Sequence, residues 1–147
     1  MAVVFSNLFN LVELNDLIGA GGLLHSVSMG LFTNNVSLTP LTTLADLGEC
    51  VAPGIGTQVI TWLTPYLQPD GSWAVNSQIL EFAMSDNTDP QSAIYGYFVS
   101  TTTSIPQLLY SELFPVPEAL ATDQEALQIS TQVVTGGTSN GDGVVIS

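Results

Sequence analysis

Residues 92–103 read SAIYGYFVSTTT. Alternation along an extended chain puts Tyr95, Tyr97 and Val99 on one face and Ile94, Gly96 and Phe98 on the other. Both faces are apolar, so the segment reads as a strand covered on both sides, inside a sheet rather than at its edge. Gly96 interrupts the run of side chains and marks a bulge or the close approach of another backbone. The predicted core centres on Tyr95, Tyr97, Phe98 and Val99, packed against Val27, Met29, Leu31, Leu109 and Ile129.

Working outward, residues 1–22 form the one long helical pattern. Leu8, Leu11, Val12, Leu14, Leu17 and Ile18 make an apolar stripe, Ser6 or Asn7 can cap its start, and Gly19, Gly21 and Gly22 end it. Leu23, His25, Val27, Met29 and Leu31 then alternate with Ser26, Ser28 and Gly30, the pattern of a half-buried strand. In the polar connection that follows, Thr43 with Asp46 has the spacing of a capping box over a single helical turn. Strands are predicted at QVITWL, SWAVN, QILEFAM, IPQLLYSELF and ALQISTQVV, with PVPEALATDQE as a connection. The Gly-rich end, residues 136–147, is a terminal hairpin or an arm. Short strands separated by turn signals predict a mainly all-β chain: a single antiparallel β-sandwich or jelly-roll-like domain over residues 1–147, with one N-terminal α-helix.

The 147 residues include 13 acids, one His and no Lys or Arg, for a formal charge of -13. With no cation to neutralise phosphates, nucleic acid is excluded as a partner, and so is an anionic membrane surface. Phosphoryl transfer loses its usual charge-holding groups. Unrelieved repulsion among the acids predicts a fold that gains from added salt. Cys50 is the single cysteine, so no disulfide forms within the chain. The start, MAVVFSNLFNLVELNDLIGA, has no basic region and is too polar to span a bilayer, which predicts synthesis in a cytoplasm without export by a leader.

Several stretches carry a resemblance. VSMGLFTNNVSLTPLTTLADLGEC is similar to a strand of the form L-x-L-[FY]-T-N-[ND]-x-x-P followed by a T-x-[AD]-[DE]-[FL]-x-E turn. AIYGYFV resembles a central Y-G-Y-[FY]-V strand, and LLYSELFP the L-L-[WY]-[AS]-E-x-F strand after it. In this order, over about residues 23–134, the chain resembles small structural proteins of tailed bacteriophages. The resemblance implies a non-enzymatic virion protein built as a β-sandwich, of the head decoration (cement) or tail-associated type. It would be made in the host cytoplasm and located on the virion. Its implied partners are virion proteins such as the major capsid protein. Members of that family carry ordinary numbers of Lys and Arg; this chain has none.

A chain this apolar has strand edges and a helix face to cover, which predicts a homo-oligomer, a trimer before other rings. Leu8, Leu11, Leu14 and Ile18 on the helix and Val144 and Ile146 in the tail are the predicted contacts. Other side chains have a bland reading that leads. His25 reads as structural, bonded to a backbone carbonyl; Cys50 reads as a small buried thiol, although a Cys50–His25 nucleophile pair has the right residue types. Glu81 and Glu112 have the chemistry for glycoside hydrolysis, but strand carboxylates usually face solvent. Asp86 and Asp89, and separately Asp142, lie in oxygen-rich loops that suit calcium, without EF-hand spacing. Such Asx-rich loops more often bond their own backbone. No other cofactor is expected. Trp62, Trp73, Tyr66 and Tyr95 suit a sugar platform, with Trp73 expected near the surface. A lectin-like, carbohydrate- or calcium-binding module is therefore the alternative to the virion reading.

Overall fold

The computed structural model describes residues 7–135 and 144–146, the latter and 7–10 by backbone alone. In chain order the elements are α1 (Asn7–Ile18), β1 (Val27–Phe32), α2 (Leu44–Leu47), β2 (Gln58–Val59), β3 (Tyr66–Leu67) and β4 (Trp73–Asn76). There follow β5 (Leu80–Ala83), β6 (Gln91–Thr101), β7 (Leu108–Leu120), β8 (Ala126–Ile129), β9 (Gln132–Thr135) and β10 (Val144–Ile146). Every strand pairing is antiparallel. The chain is mainly β with a short N-terminal helix, and its contacts divide it into two compact units.

One unit comprises Val27–Ile60 and Ile79–Ile129. Its four-stranded sheet has the order β2-β1-β6-β7, beside the separate β5–β8 pair. The opening stretch is β6, an inner strand, and Ile94 and Gly96 through Ser100 are all buried. Gly96 answers to both of its predicted roles. A β-carbon there would meet the Glu112 carbonyl oxygen and the Phe32 ring, whose Cζ would lie 2.7 Å away. The register also slips at this point: Ile94 faces Glu118 and Gly96 faces Leu113, so Tyr95 alone stands opposite Phe114, Pro115, Val116 and Pro117. Two prolines without N–H groups fit only because β7 is an edge strand.

Of the predicted core, Tyr97, Phe98, Val99, Val27, Met29, Leu31 and Ile129 are buried, while Tyr95 and Leu109 are half-buried. Phe32, Leu47 and Phe98 form a cluster onto which Leu38, Leu44 and Tyr95 pack. The predicted turn at Thr43 is α2. The Thr43 N–H donates to the Asp46 carboxylate at 2.9 Å, half of the capping box. Its far end is held by the residues that follow β1. The Thr33 and Asn34 N–H groups donate to the Gly48 and Leu47 carbonyls at 2.9 and 3.0 Å. The Asn34 side-chain amide adds the Asp46 carbonyl at 2.9 Å. Gly48 closes the helix at φ 68°, a left-handed angle that favours glycine.

The other unit comprises Met1–Ser26, Thr61–Gln78 and Ser130–Ser147. Its sheet has the order β10-β9-β4-β3, and α1 packs against β4 and β9. The Trp62 indole N–H donates to the Leu24 carbonyl at 2.8 Å. The Gln132 amide donates to the Tyr66 hydroxyl at 2.6 Å. At the end of the chain, β10 pairs with β9, as a terminal hairpin would.

Five sequence expectations change. The first strand begins at Val27, not Leu23, because the Leu24 and His25 N–H groups turn back to the Leu17 and Gly22 carbonyls. It is buried on both faces, since Phe98 covers Gly30. QVITWL breaks after Val59, and Trp62 keeps only an isolated bridge to Ser77. ALQISTQVV is two strands in different units, parted where the Thr131 N–H donates to the Ser77 hydroxyl at 2.9 Å. Finally, β7 continues through PVPEAL instead of ending at Phe114.

Candidate functional site

A groove of about 650 Å³ lies on the four-stranded sheet, at the end where β1, β2 and β6 meet. Its floor is set by register: Ser28 pairs with Ser100 on one side and with Val59 on the other. Phe98, two residues from Ser100, continues the floor on the same face. Over it stand Leu44 and Ala45 of α2, with Glu49 just beyond. The far wall is Thr101–Thr103 and Pro106, a turn fixed by its own hydroxyls. There the Thr101 hydroxyl accepts the Gln107 N–H at 2.9 Å, and the Thr103 hydroxyl donates to the Ile105 carbonyl at 2.8 Å. The groove is thus lined by hydroxyls and one carboxylate, with apolar walls.

A second feature is the sheet edges. The outer strands carry exposed apolar side chains: Val59 on β2, Tyr66 and Leu67 on β3, Leu113 and Val116 on β7. Val116 is 67% exposed and sits in the proline-flanked bulge. Edge strands are usually guarded by charges, lysine above all, and this chain has no lysine.

The chain matches no protein-family model, no curated protein and no solved structure.

The residues singled out in the sequence fall as follows. The His25 ring, on an exposed residue, bonds the Ile18 carbonyl through Nδ1 at 3.1 Å, the backbone contact expected of a structural histidine. Cys50 is buried, and burial pushes its thiol pKa up, so it is held as the poorly nucleophilic thiol. It donates to the Gln91 side-chain oxygen at 3.5 Å. Glu81 accepts from Gln128 across the β5–β8 pair at 3.3 Å, whereas Glu112 accepts the Tyr97 hydroxyl at 2.7 Å in the larger sheet. The two acids are thus engaged in separate sheets.

In the acidic loop, Asp86 accepts both the N–H and the hydroxyl of Thr88, at 2.9 and 2.6 Å, and these bonds hold its carboxyl below the ordinary value. Asn87 accepts the Asp123 N–H at 2.6 Å, and the Asp89 carbonyl accepts from Gln91 at 3.0 Å. Asp142 lies outside the described residues. Tyr95 joins the Phe32–Phe98 cluster. Trp73 is half-buried, and among the described residues its buried indole N–H has no hydrogen-bond partner.

Of the predicted contacts, Leu14 is wholly buried, because α1 turns it toward the interior; it is not an outward contact. Leu11 and Ile18 are half-buried, and the exposed apolar residues here are Val12 and Leu23. The side chains of Leu8, Val144 and Ile146 lie outside what is described. Sequence reasoning missed Ser28, Ser100 and Glu49. The only signal was a serine on the polar side of one predicted strand, Ser28, and one at the end of an apolar strand, Ser100, and nothing in the sequence makes them neighbours.

Proposed function

We propose that this chain is a non-enzymatic structural subunit of a tailed-phage virion, of the capsid decoration (cement) type. On this reading it assembles with itself, as a trimer, and attaches to the major capsid protein. The observation that supports it is the exposed apolar character of β2, β3 and β7, all edge strands in a chain without lysine. Open edges offer backbone N–H and C=O groups for strand pairing, and their apolar side chains gain from burial in a subunit contact. Such contacts need no ion pairs, which this chain, His25 aside, cannot make between its own side chains. The groups that suggested hydrolysis have structural engagements: Glu112 holds Tyr97, and Cys50 is buried.

The test is quantitative mass spectrometry of gradient-purified particles from the phage that encodes the chain. A copy number in fixed ratio to the major capsid protein is expected. A chain found only in the soluble lysate, or one retained by glycan columns in a calcium-dependent way, would contradict the proposal.

A further inference from the structure

Strand β7 ends the order β2-β1-β6-β7, so one of its sides is open. Register decides which of its backbone groups face that side. The Ile60 N–H donates to the Val27 carbonyl at 3.0 Å and the Cys50 N–H to the Leu31 carbonyl at 2.8 Å. Val27, Met29 and Leu31 therefore turn their backbone groups away from β6, and Ser28, Gly30 and Phe32 turn theirs toward it. Their partners Ser100, Phe98 and Gly96 face β1, which leaves Val99 and Tyr97 to bond Tyr110 and Glu112 of β7. The Thr101 N–H keeps the same alternation, donating to the Gln107 carbonyl at 3.0 Å. Ser111 and Leu113 thus point their N–H and C=O groups outward. Pro115 and Pro117 beyond them have no N–H to offer, so an added strand is held to the stretch before the prolines.

That stretch is Leu109-Tyr110-Ser111-Glu112-Leu113, and it has the same spacing of leucines and polar groups read from Ser111 in either direction. Set antiparallel against itself about Ser111, it places Leu113 opposite Leu109 and Glu112 opposite Tyr110, each twice. Apolar pairs are favourable across strands, and a tyrosine hydroxyl can donate to a carboxylate. Leu113 is 40% exposed and gains from burial there. Glu112 already accepts the Tyr97 hydroxyl, and a carboxylate has room for a second donor. Centring the pair on Glu112 instead would set two like charges in direct opposition.

We propose that β7 pairs antiparallel with β7 of a second copy, about a twofold axis at Ser111. Such a contact is isologous and closes at two copies, so it goes beyond the trimer of the reading above and does not depend on it.

The test uses the purified chain alone. Sedimentation over a concentration series should show a monomer passing to a dimer, and amide exchange should identify the edge. In dilute solution the Ser111 and Leu113 N–H groups should exchange fast, while those of Tyr110 and Glu112, bonded to β6, exchange slowly. In the dimer all four should be slow. Sodium chloride should strengthen the dimer, because copies of charge -13 repel one another. Ser111→Pro removes an outward donor that β6 does not use, and should weaken the dimer by roughly tenfold or more, the loss of one hydrogen bond from each copy. Leu113→Ser should weaken it too, whereas Val116→Ser, past the first proline, should not. Unchanged slow exchange at Tyr97 and Val99 shows that each variant remains folded. A chain that stays monomeric at every concentration, or a dimer that survives Ser111→Pro, would overturn the proposal. So would a trimer in which Ser111 and Leu113 still exchange fast, although the reading above would then stand.

Discussion

The ring of Phe98 occupies the space that a β-carbon on Gly30 would need, with Cε1 2.8 Å from that position. The two residues are register partners in β1 and β6. A glycine and a large ring thus interlock where both strands are buried, and this contact joins the sheet to the Phe32–Leu47 cluster. Phe98→Ala should cost about 3–5 kcal/mol by opening a cavity. Gly30→Ala should cost about 1–3 kcal/mol by overpacking. Urea unfolding measures both; a loss under about 1 kcal/mol for Phe98→Ala would place the ring outside the core.

Asn34 and Gly48 give a second, local prediction. The Asn34 side chain lies against the position of a Gly48 β-carbon while bonding the Asp46 carbonyl. Asn34→Ala should cost about 1 kcal/mol, the value of one hydrogen bond. Gly48→Ala should cost more, since it adds a left-handed angle to the crowding. In the double variant the crowding is relieved, so the two losses should sum to more than the measured total.

Trp73 offers a test of an unpaired donor. Among the described residues its buried indole N–H lacks a partner, a state that costs about 1–3 kcal/mol. Trp73→Phe removes the donor together with some apolar area, so the net change in stability should be small. Most core tryptophan substitutions are strongly destabilising by comparison. A large loss on thermal unfolding would mean that the N–H is paired in solution.

The pH dependence follows from Asp70 and Asp86. Hydrogen bonds from Ser72 and Thr88 hold their carboxyls below 3.8. A folded pKa below the unfolded one gives stability that is present above the unfolded value and lost as pH falls through the folded one. Thr88→Val should therefore lower the melting temperature at neutral pH, and the difference from wild type should close below pH 3.8. The net charge of -13 acts more broadly and in the opposite sense, so sodium chloride should raise the melting temperature at neutral pH. A melting temperature that falls with salt would contradict this.

Much of the fold was legible in the sequence where one signal acted alone. The two-sided apolar run of β6, the Thr43–Asp46 spacing and the helical stripe within residues 1–22 are local patterns, and each became an element, the last as α1. The misreadings came where tertiary pairing overrode local pattern. ALQISTQVV has strand propensity throughout, but the Ser77 hydroxyl bond at Thr131 divides it. The prolines of PVPEAL argue for a loop, yet an edge strand tolerates them. The groove was least legible, because it depends on which residue of β1 faces which residue of β6. Periodicity carries no such register information, and only the paired strands bring Ser28 beside Ser100.

The proposed attachment to a particle through exposed edges can be measured by adding the purified chain to virions lacking it and sedimenting the mixture. Saturable binding at a symmetry-matched copy number is expected, with loss of binding when Leu113 and Val116 on β7 are both changed to Ser. A chain that stays in the supernatant, or a double variant that binds as well as wild type, would contradict it.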